Sequence, residues 1–451
     1  MTTIYSARWV LPIAFPAIDF GAVAIQEARI AAVGTAAEII ARFPDARVED
    51  FGQSVLLPGL INAHSHLELT VMRGFLEHEE PDFFAWLRKL TVARMGMTPE
   101  DLFVSAACGA VEAARAGITC LADSSSAAAQ SMKALREVGL RAIVYQESFG
   151  PDPRLADENA RKLAAQLAEL RALESQLVRA GVSPHAPYTV SPRQLELISQ
   201  LALAERLPLM MHAAESEAER VFMLEGAGPF AEGLKARGID WAAPGISTIQ
   251  HLQEHGVLET KPLLAHCITV DGADLELIRQ NDARIAHCPK SNAKLRHGRA
   301  PFADFIAGGL KTGLGSDSVA SNNNCDLIEE ARFATLSARL TPGSQAPVSA
   351  EQSLFAATLG GAQALGLEEQ VGALVEGMQA DLTVIGLEGA HQQPVDDPVS
   401  TLVFSCSGRD VRLTVVAGKE IFRDGVMLGV SEAELLGRLR LARSRLIRSE
   451  F

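Results

Sequence analysis

The sequence predicts an α/β protein: a TIM-type (β/α)8 barrel with a small β-sandwich domain built from both chain ends. Eight apolar runs each end in polar residues, and most are followed by a helical pattern. Strand-like texture occupies residues 1–57 and returns at 372–430, on either side of a barrel spanning 58–371. A C-terminal helix over 431–451 completes the chain.

The first segment reads as short strands: IYSARWVL, GAVAIQEARIAAVG and ARVEDFGQSVLL. Its first 25 residues are apolar, but no basic residue precedes Arg8, and Pro12, Pro16 and Asp19 break the run. That fits a strand pair better than a signal peptide. The barrel strands follow in order. LLPGLINAHSH ends at His64 and His66, ITCLADS at Asp123, and LRAIVYQE at Gln146 and Glu147. GVSPHAP carries His185, LPLMMHAAE His212, PLLAHC His266, ARIAHCP His287, and TGLGSD Asp317. Thr98-Pro99-Glu100-Asp101 signals a capped helix start, and Ser191-Pro192 another. The connections after strands 1 and 5 are long and are expected to form a lid. Late in the chain, ADLTVIG and a hairpin around Ala417-Gly418 restore the strand texture. The tail carries Arg438, Arg440, Arg443, Arg445 and Arg448 and reads as a helix docked on an acidic body.

Composition narrows the function classes. Of 451 residues 48% are hydrophobic and 21% charged, an ordinary soluble globular profile and not that of a disordered chain. Lys plus Arg total 41 against 55 Asp plus Glu, a net charge of −14 that disfavours nucleic acid as a partner. No run reaches the uncharged length of a membrane span, so no membrane partner is expected. Six Cys without close pairs make neither a disulfide framework nor a zinc ribbon, which points to the cytoplasm.

The polar strand ends carry the chemistry. Residues two apart on a strand face the same side, so His64 and His66 can meet one metal ion. His212, His266 and Asp317 end other strands and converge on the same mouth. Several buried imidazoles beside a carboxylate are costly as mere packing, and they make a good shell for Zn²⁺ or Fe²⁺. Glu215, three residues after His212, is placed to move protons, although the helix dipole accounts for an acid there equally well. Alternation turns Cys267 and Cys288 away from the mouth, and the Asn322–Asn324 run reads as polar loop or pocket lining.

PGLINAHSHLE, SPHAPYTVS, the HxxE of His212 and Glu215, AHC at His266, HCPKSNAKL and LGSDSVASNNN together resemble the amidohydrolase superfamily. Within it they resemble the branch of S-adenosylhomocysteine/5′-methylthioadenosine deaminases, guanine and cytosine deaminases and triazine hydrolases. The resemblance covers nearly the whole chain, including a GxxxxGxxAD-like stretch from Gly372 to Asp381. It implies one divalent ion, zinc or iron, on His64, His66, His212 and Asp317, since SPHAP lacks the Lys of binuclear relatives. Asp317 would take a proton from the bound water, His266 would steady the resulting hydroxide, and Glu215 would protonate the ring nitrogen before ammonia leaves. His185 would contact the substrate, and the resemblance implies a homo-oligomer, dimer or tetramer.

One departure concerns specificity. The branch places an Arg near the end of strand 3, where this chain has Gln146-Glu147-Ser148. An adenosine derivative such as 6-aminodeoxyfutalosine therefore stands beside 5′-methylthioadenosine and S-adenosylhomocysteine as expected substrate. Gln146 is a candidate substrate contact. So is Trp86, in the segment EHEEPDFFAWLRKLTVAR, which also offers Phe83, Phe84, Arg88 and Arg94. A guanine- or cytosine-type base deaminase, a triazine chloro- or aminohydrolase, and a catalytically inactive barrel scaffold are the competing readings.

Overall fold

A computed structural model describes residues 2–340 and 347–448. The first strands are β1 (Thr2–Val10), β2 (Ile18–Gln26), β3 (Arg29–Thr35), β4 (Arg47–Asp50) and β5 (Ser54–Pro58). The expected central strands are all present, as β6 (Leu60–Ser65), β7 (Ile118–Ser125), β8 (Arg141–Ser148), β9 (Val178–Pro184), β10 (Met210–Ala213), β11 (Leu263–His266), β12 (Arg284–His287) and β13 (Thr312–Leu314). The chain ends with β14 (Leu382–Gly386), β15 (Val411–Val416), β16 (Lys419–Arg423) and β17 (Val426–Met427).

β6 to β9 form one parallel sheet and β10 to β13 another. Isolated parallel bridges join them at both edges, Val182 to Leu209 and Ser65 to Asp317, so the eight strands return to their starting point. Alternation explains their composition. Ile61, Ala63, Cys120, Ala122, Ile143, Tyr145, Met210 and Ala265 share one buried cluster. Their neighbours Leu60, Leu121, Ala142, Val144, Met211 and Leu264 pack in a second, with the helices. Strands buried on both faces need apolar residues at every position.

Strands from both chain ends share one sheet, in the order β17-β16-β15-β14-β5-β1-β2-β3, with β4 on β1. The seam is antiparallel, pairing Leu382 with Pro58 through Gly386 with Ser54. The expected hairpin turns at Ala417 and Gly418, with φ of 48° and 76°, the left-handed pair of a two-residue turn. A helix at Ala36–Arg42 was not expected; its signal is the capping box of Thr35 and Glu38.

The helices signalled at Thr98 and Ser191 span Pro99–Arg115 and Pro192–Glu205, each N-cap hydroxyl accepting a backbone N–H. The long connection after β6 carries the helix Phe83–Met95, and that after β10 carries Glu217–Glu225 and Gly228–Ala236. The C-terminal helix Glu432–Arg448 docks through Arg438 on Glu100 and Arg445 on Asp101, while Arg443 donates to the Val71 carbonyl. Residues 449–451 of the expected tail lie outside the described residues. Among the described residues, no helix is long and apolar enough to cross a membrane.

Candidate active site

The C-terminal ends of the ring strands bring His64, His66, His212, His266, Glu215 and Asp317 together. A register shift between Asn62 and Ser65 in the β6–β7 pairing turns His64 and His66 inward, although Ile61 and Ala63 face inward below them. Ser65 points the other way and donates to the Ala122 carbonyl at 3.0 Å. Asp123 also points away from the ring interior; its Oδ1 accepts from the Leu67 N–H at 2.7 Å and the Ser65 hydroxyl at 3.2 Å. It fixes the turn that carries His66. Gly315 is required here, because a Cβ would come within 2.9 Å of the His64 Cβ.

Nε2 of His66 lies 3.2 Å from Nε2 of His212, and Oδ1 of Asp317 lies 3.4 Å from His64 Nε2 and 3.6 Å from His66 Nε2. His64 is fully buried with neither ring nitrogen hydrogen-bonded. Burial holds the His64, His66 and His212 imidazoles below their ordinary pKa, so they are neutral and ready to ligate. Asp317 is also buried, which raises its carboxyl, but His64 chiefly outweighs this and holds it well below the usual carboxylate range. Oδ2 of Asp317 accepts from Ser291 and Ser321 at 2.5 and 3.0 Å, leaving Oδ1 toward the histidines. Three neutral imidazoles, that of His64 with neither nitrogen bonded, and one carboxylate fit a divalent ion such as Zn²⁺ or Fe²⁺. Glu147, His185 and His212 form a second close group. His212 donates through Nδ1 to the His185 carbonyl at 2.9 Å, so its single free nitrogen cannot serve both groups at once.

Glu215 stands beside this cluster. Its Oε1 is 3.7 Å from Nε2 of both His266 and His297, and its Oε2 accepts from the Tyr188 hydroxyl at 3.4 Å. Burial pushes its carboxyl up to about 7, so it holds a proton near neutrality. Nδ1 of His266 is 2.9 Å from Asn292 Oδ1, which aims Nε2 at Glu215. Glu219, which sequence reasoning missed, accepts from the Ala214 and Glu215 N–H groups at 2.7 and 3.0 Å. It secures the left-handed backbone at Ala214, φ 52°, that turns Glu215 inward.

His66, His212, Glu215, His266 and Asp317 line a cavity of about 380 Å³, within the range of small-molecule sites. His185, Trp86, Phe83 and Arg94 line it as the sequence suggested. Phe83 stacks on Trp86 with centroids 5.9 Å apart. Gln146 does not line the cavity: it sits on the outward parity of β8 and its amide donates to the Ser126 and Glu147 carbonyls. Glu147, one residue on, lines it instead. Phe84 packs against Phe230, Arg88 is exposed, and His287 stacks on Phe302, all outside the cavity. Asn322 is buried, holding the Ser316 carbonyl; Ser318 and Ser321 line the cavity where the asparagine run was expected. Glu68 also lines it, 3.7 Å from Arg94 and held by Ser125, Ser126 and Ala127. All six cysteines are free and buried.

The amidohydrolase family model matches residues 55–421, and a bacterial imidazolonepropionase-like composite-domain model matches 21–46. A 5-methylthioadenosine/S-adenosylhomocysteine deaminase of Syntrophobacter fumaroxidans is 34% identical over 427 residues, covering 94% of this chain and 92% of its own length. The enzyme of that description in Moorella thermoacetica is 31% identical over 434 residues, covering 95% and 96%. The crystal structure of an adenosine deaminase from Xanthomonas campestris with bound zinc superposes with a TM-score of 0.88 at 26% identity, covering 99% of this chain and 98% of that one. On the family match and the full-length relatives, this chain belongs to the amidohydrolase family.

Proposed function

We propose that the protein is a metal-dependent hydrolytic deaminase of an aminated purine, releasing ammonia from an adenosine derivative. The candidates are 5′-methylthioadenosine, S-adenosylhomocysteine and 6-aminodeoxyfutalosine. The carrying observation is Glu215: a buried carboxyl pushed to about 7, beside His266 and the three-histidine, one-aspartate cluster. The relatives described as deaminases support the same reaction class. We read the ring of strands as a (β/α)8 barrel over 58–371 and the shared sheet as a composite domain of 1–57 and 372–430. We also read the protein as a cytoplasmic homo-oligomer.

His64, His66, His212 and Asp317 would hold the ion, taken here as zinc, as in the Xanthomonas structure. When bound, it supplies water acidified to a pKa of about 7. The protein's own groups then handle the protons. Oδ1 of Asp317 accepts a proton from the attacking water, its other oxygen being tied to Ser291 and Ser321. His266, fixed by Asn292, directs Nε2 at the water. Glu215 gives its proton to the ring nitrogen beside the carbon under attack, which lets the aromatic ring accept the electron pair. The carbon–nitrogen bond breaks as Asp317 passes its proton to the amine, which leaves as ammonia. The new hydroxyl returns its proton to Glu215, and the product holds a carbonyl.

A base deaminase or triazine hydrolase would use the same donors; the relatives' descriptions favour the nucleoside reading. An inactive scaffold is disfavoured by the intact set of ligands, acid and base. The test is ammonia release by zinc-loaded protein against adenosine, 5′-methylthioadenosine, S-adenosylhomocysteine, 6-aminodeoxyfutalosine, guanine and cytosine. Release from one adenosine derivative, lost in Glu215→Gln, supports the proposal. Silence on every purine with one equivalent of metal bound sinks it.

A further inference from the structure

The cavity lining includes a carboxylate that neither the metal cluster nor the proton relay uses. Oε2 of Glu147 accepts from the Ser126 hydroxyl at 2.8 Å, but the buried Oε1 has no hydrogen-bond partner. Its nearest basic neighbours, Nδ1 of His66 and Nε2 of His185, stand 3.9 and 4.0 Å away, beyond hydrogen-bond reach. The side chain is only 6% exposed. A buried carboxylate oxygen left unpaired is costly, so the atom calls for a donor from a ligand. A second metal ion is a poor candidate, because the nitrogen it would need on His212 already belongs to the first cluster.

The placement defines the ligand edge. Glu147 ends β8 and His185 follows β9, whereas Glu215 follows β10 and leans on His266 of β11. A ring whose nitrogen meets Glu215 therefore turns its far edge toward Glu147 and His185. In adenine that edge carries the N6 amino donor beside the N7 acceptor, whereas guanine carries two acceptors, O6 and N7. The Thr189 hydroxyl donates to the Ala186 carbonyl at 3.0 Å, so it accepts Nδ1–H of His185 at 2.9 Å and leaves Nε2 of His185 as a second acceptor beside Oε1 of Glu147.

We propose that Glu147 and His185 read the amino group of a 6-aminopurine: Oε1 of Glu147 accepts one N6–H, and Nε2 of His185 offers a second acceptor to the same amino group. This rests on the deaminase reading and sharpens it, making the 6-amino group itself the recognised feature. It also gives the product a reason to leave. Deamination replaces the N6 donor with O6, and the carboxylate then faces a second acceptor.

The experiment uses the zinc-loaded protein, the 6-aminopurine nucleoside it deaminates fastest, and the 6-methoxy counterpart, which has no N–H at that position. In Glu147→Gln the single oxygen stays on Ser126 and the amide NH2 takes the place of Oε1. The 6-amino to 6-methoxy ratio of kcat/KM is expected to fall at least tenfold, and inhibition by the hypoxanthine product to tighten. A merely destabilised variant would not bind product more tightly. The wild type supplies a check needing no variant: the hypoxanthine product, with O6 where the substrate has N6–H, is expected to inhibit with a Ki at least tenfold above the substrate KM. Active enzyme with an unmoved ratio, or a wild-type product Ki at or below the substrate KM, overturns this proposal alone. Wild-type protein that converts no 6-aminopurine overturns the deaminase reading and this one with it.

Discussion

The Ser291 hydroxyl donates to Oδ2 of Asp317 and thereby points Oδ1 of that carboxylate at His64 and His66. The next residue, Asn292, fixes His266. The short helix Pro289–Lys294 thus orients two groups of the relay, its Ser291 and Asn292 lying outside the cavity lining.

Ser291→Ala removes a hydrogen bond to a charged acceptor, worth about 1.5–3 kcal/mol. With Ser321 still in place, kcat/KM is expected to drop about tenfold, while bound metal stays near one equivalent per chain. Steady-state kinetics beside metal analysis checks this; unchanged kinetics would show that Ser321 alone orients Asp317.

Glu215 must carry its proton to act. Its carboxyl is raised to about 7, so the active form is present below that pH and is lost as pH climbs through it. The pH profile of kcat/KM should therefore fall above about 7, and Glu215→Gln should lower kcat by roughly 10²–10⁴. A profile flat from pH 6 to 9 contradicts this assignment.

Glu219 accepts two backbone N–H groups and the Thr248 hydroxyl. Glu219→Ala orphans buried donors at about 1–3 kcal/mol each. The expected outcome is a lower Tm together with a kcat loss exceeding any change in KM, since Glu215 moves with its backbone. Thermal melts and kinetics on the same preparation would separate this from plain destabilisation, which leaves kcat of the folded fraction intact.

Removing the metal leaves the buried His64 imidazole with neither nitrogen bonded and crowds His66 against His212. A ligand present at a hundred times its Kd stabilises the fold by about 2.7 kcal/mol, so chelation should lower Tm by several degrees and zinc should restore it. A melting curve indifferent to chelator and zinc would contradict the cluster's role as a metal site.

Much of the site was legible because a ring of parallel strands delivers its C-terminal residues to one face. What the strand ends alone could not give was parity. On β8, Ile143 and Tyr145 face the ring interior, so Glu147 shares their side and Gln146 does not. Counting by two along that run finds Glu147 from sequence. The same count places Asp123 and His287 outside the cavity, beside Leu121 and Ile285. It fails at β6, where the register shift past Asn62 reverses which residues face inward. Glu219 was hidden for another reason: its role depends on a left-handed turn at Ala214 that no residue type announces.

The seam between β5 and β14 has a consequence for how the protein is made. Its two strands leave the ribosome about 320 residues apart, which at 5–20 residues per second is roughly 15 s to a minute. Throughout that interval β5 of the nascent chain presents an unpaired edge to its surroundings. The amino-terminal strands therefore wait for the last part of the message before their sheet is finished. A ribosome that stalls after β13 releases a chain with its catalytic ring encoded and its sheet edge bare, a natural target for chaperones and proteases.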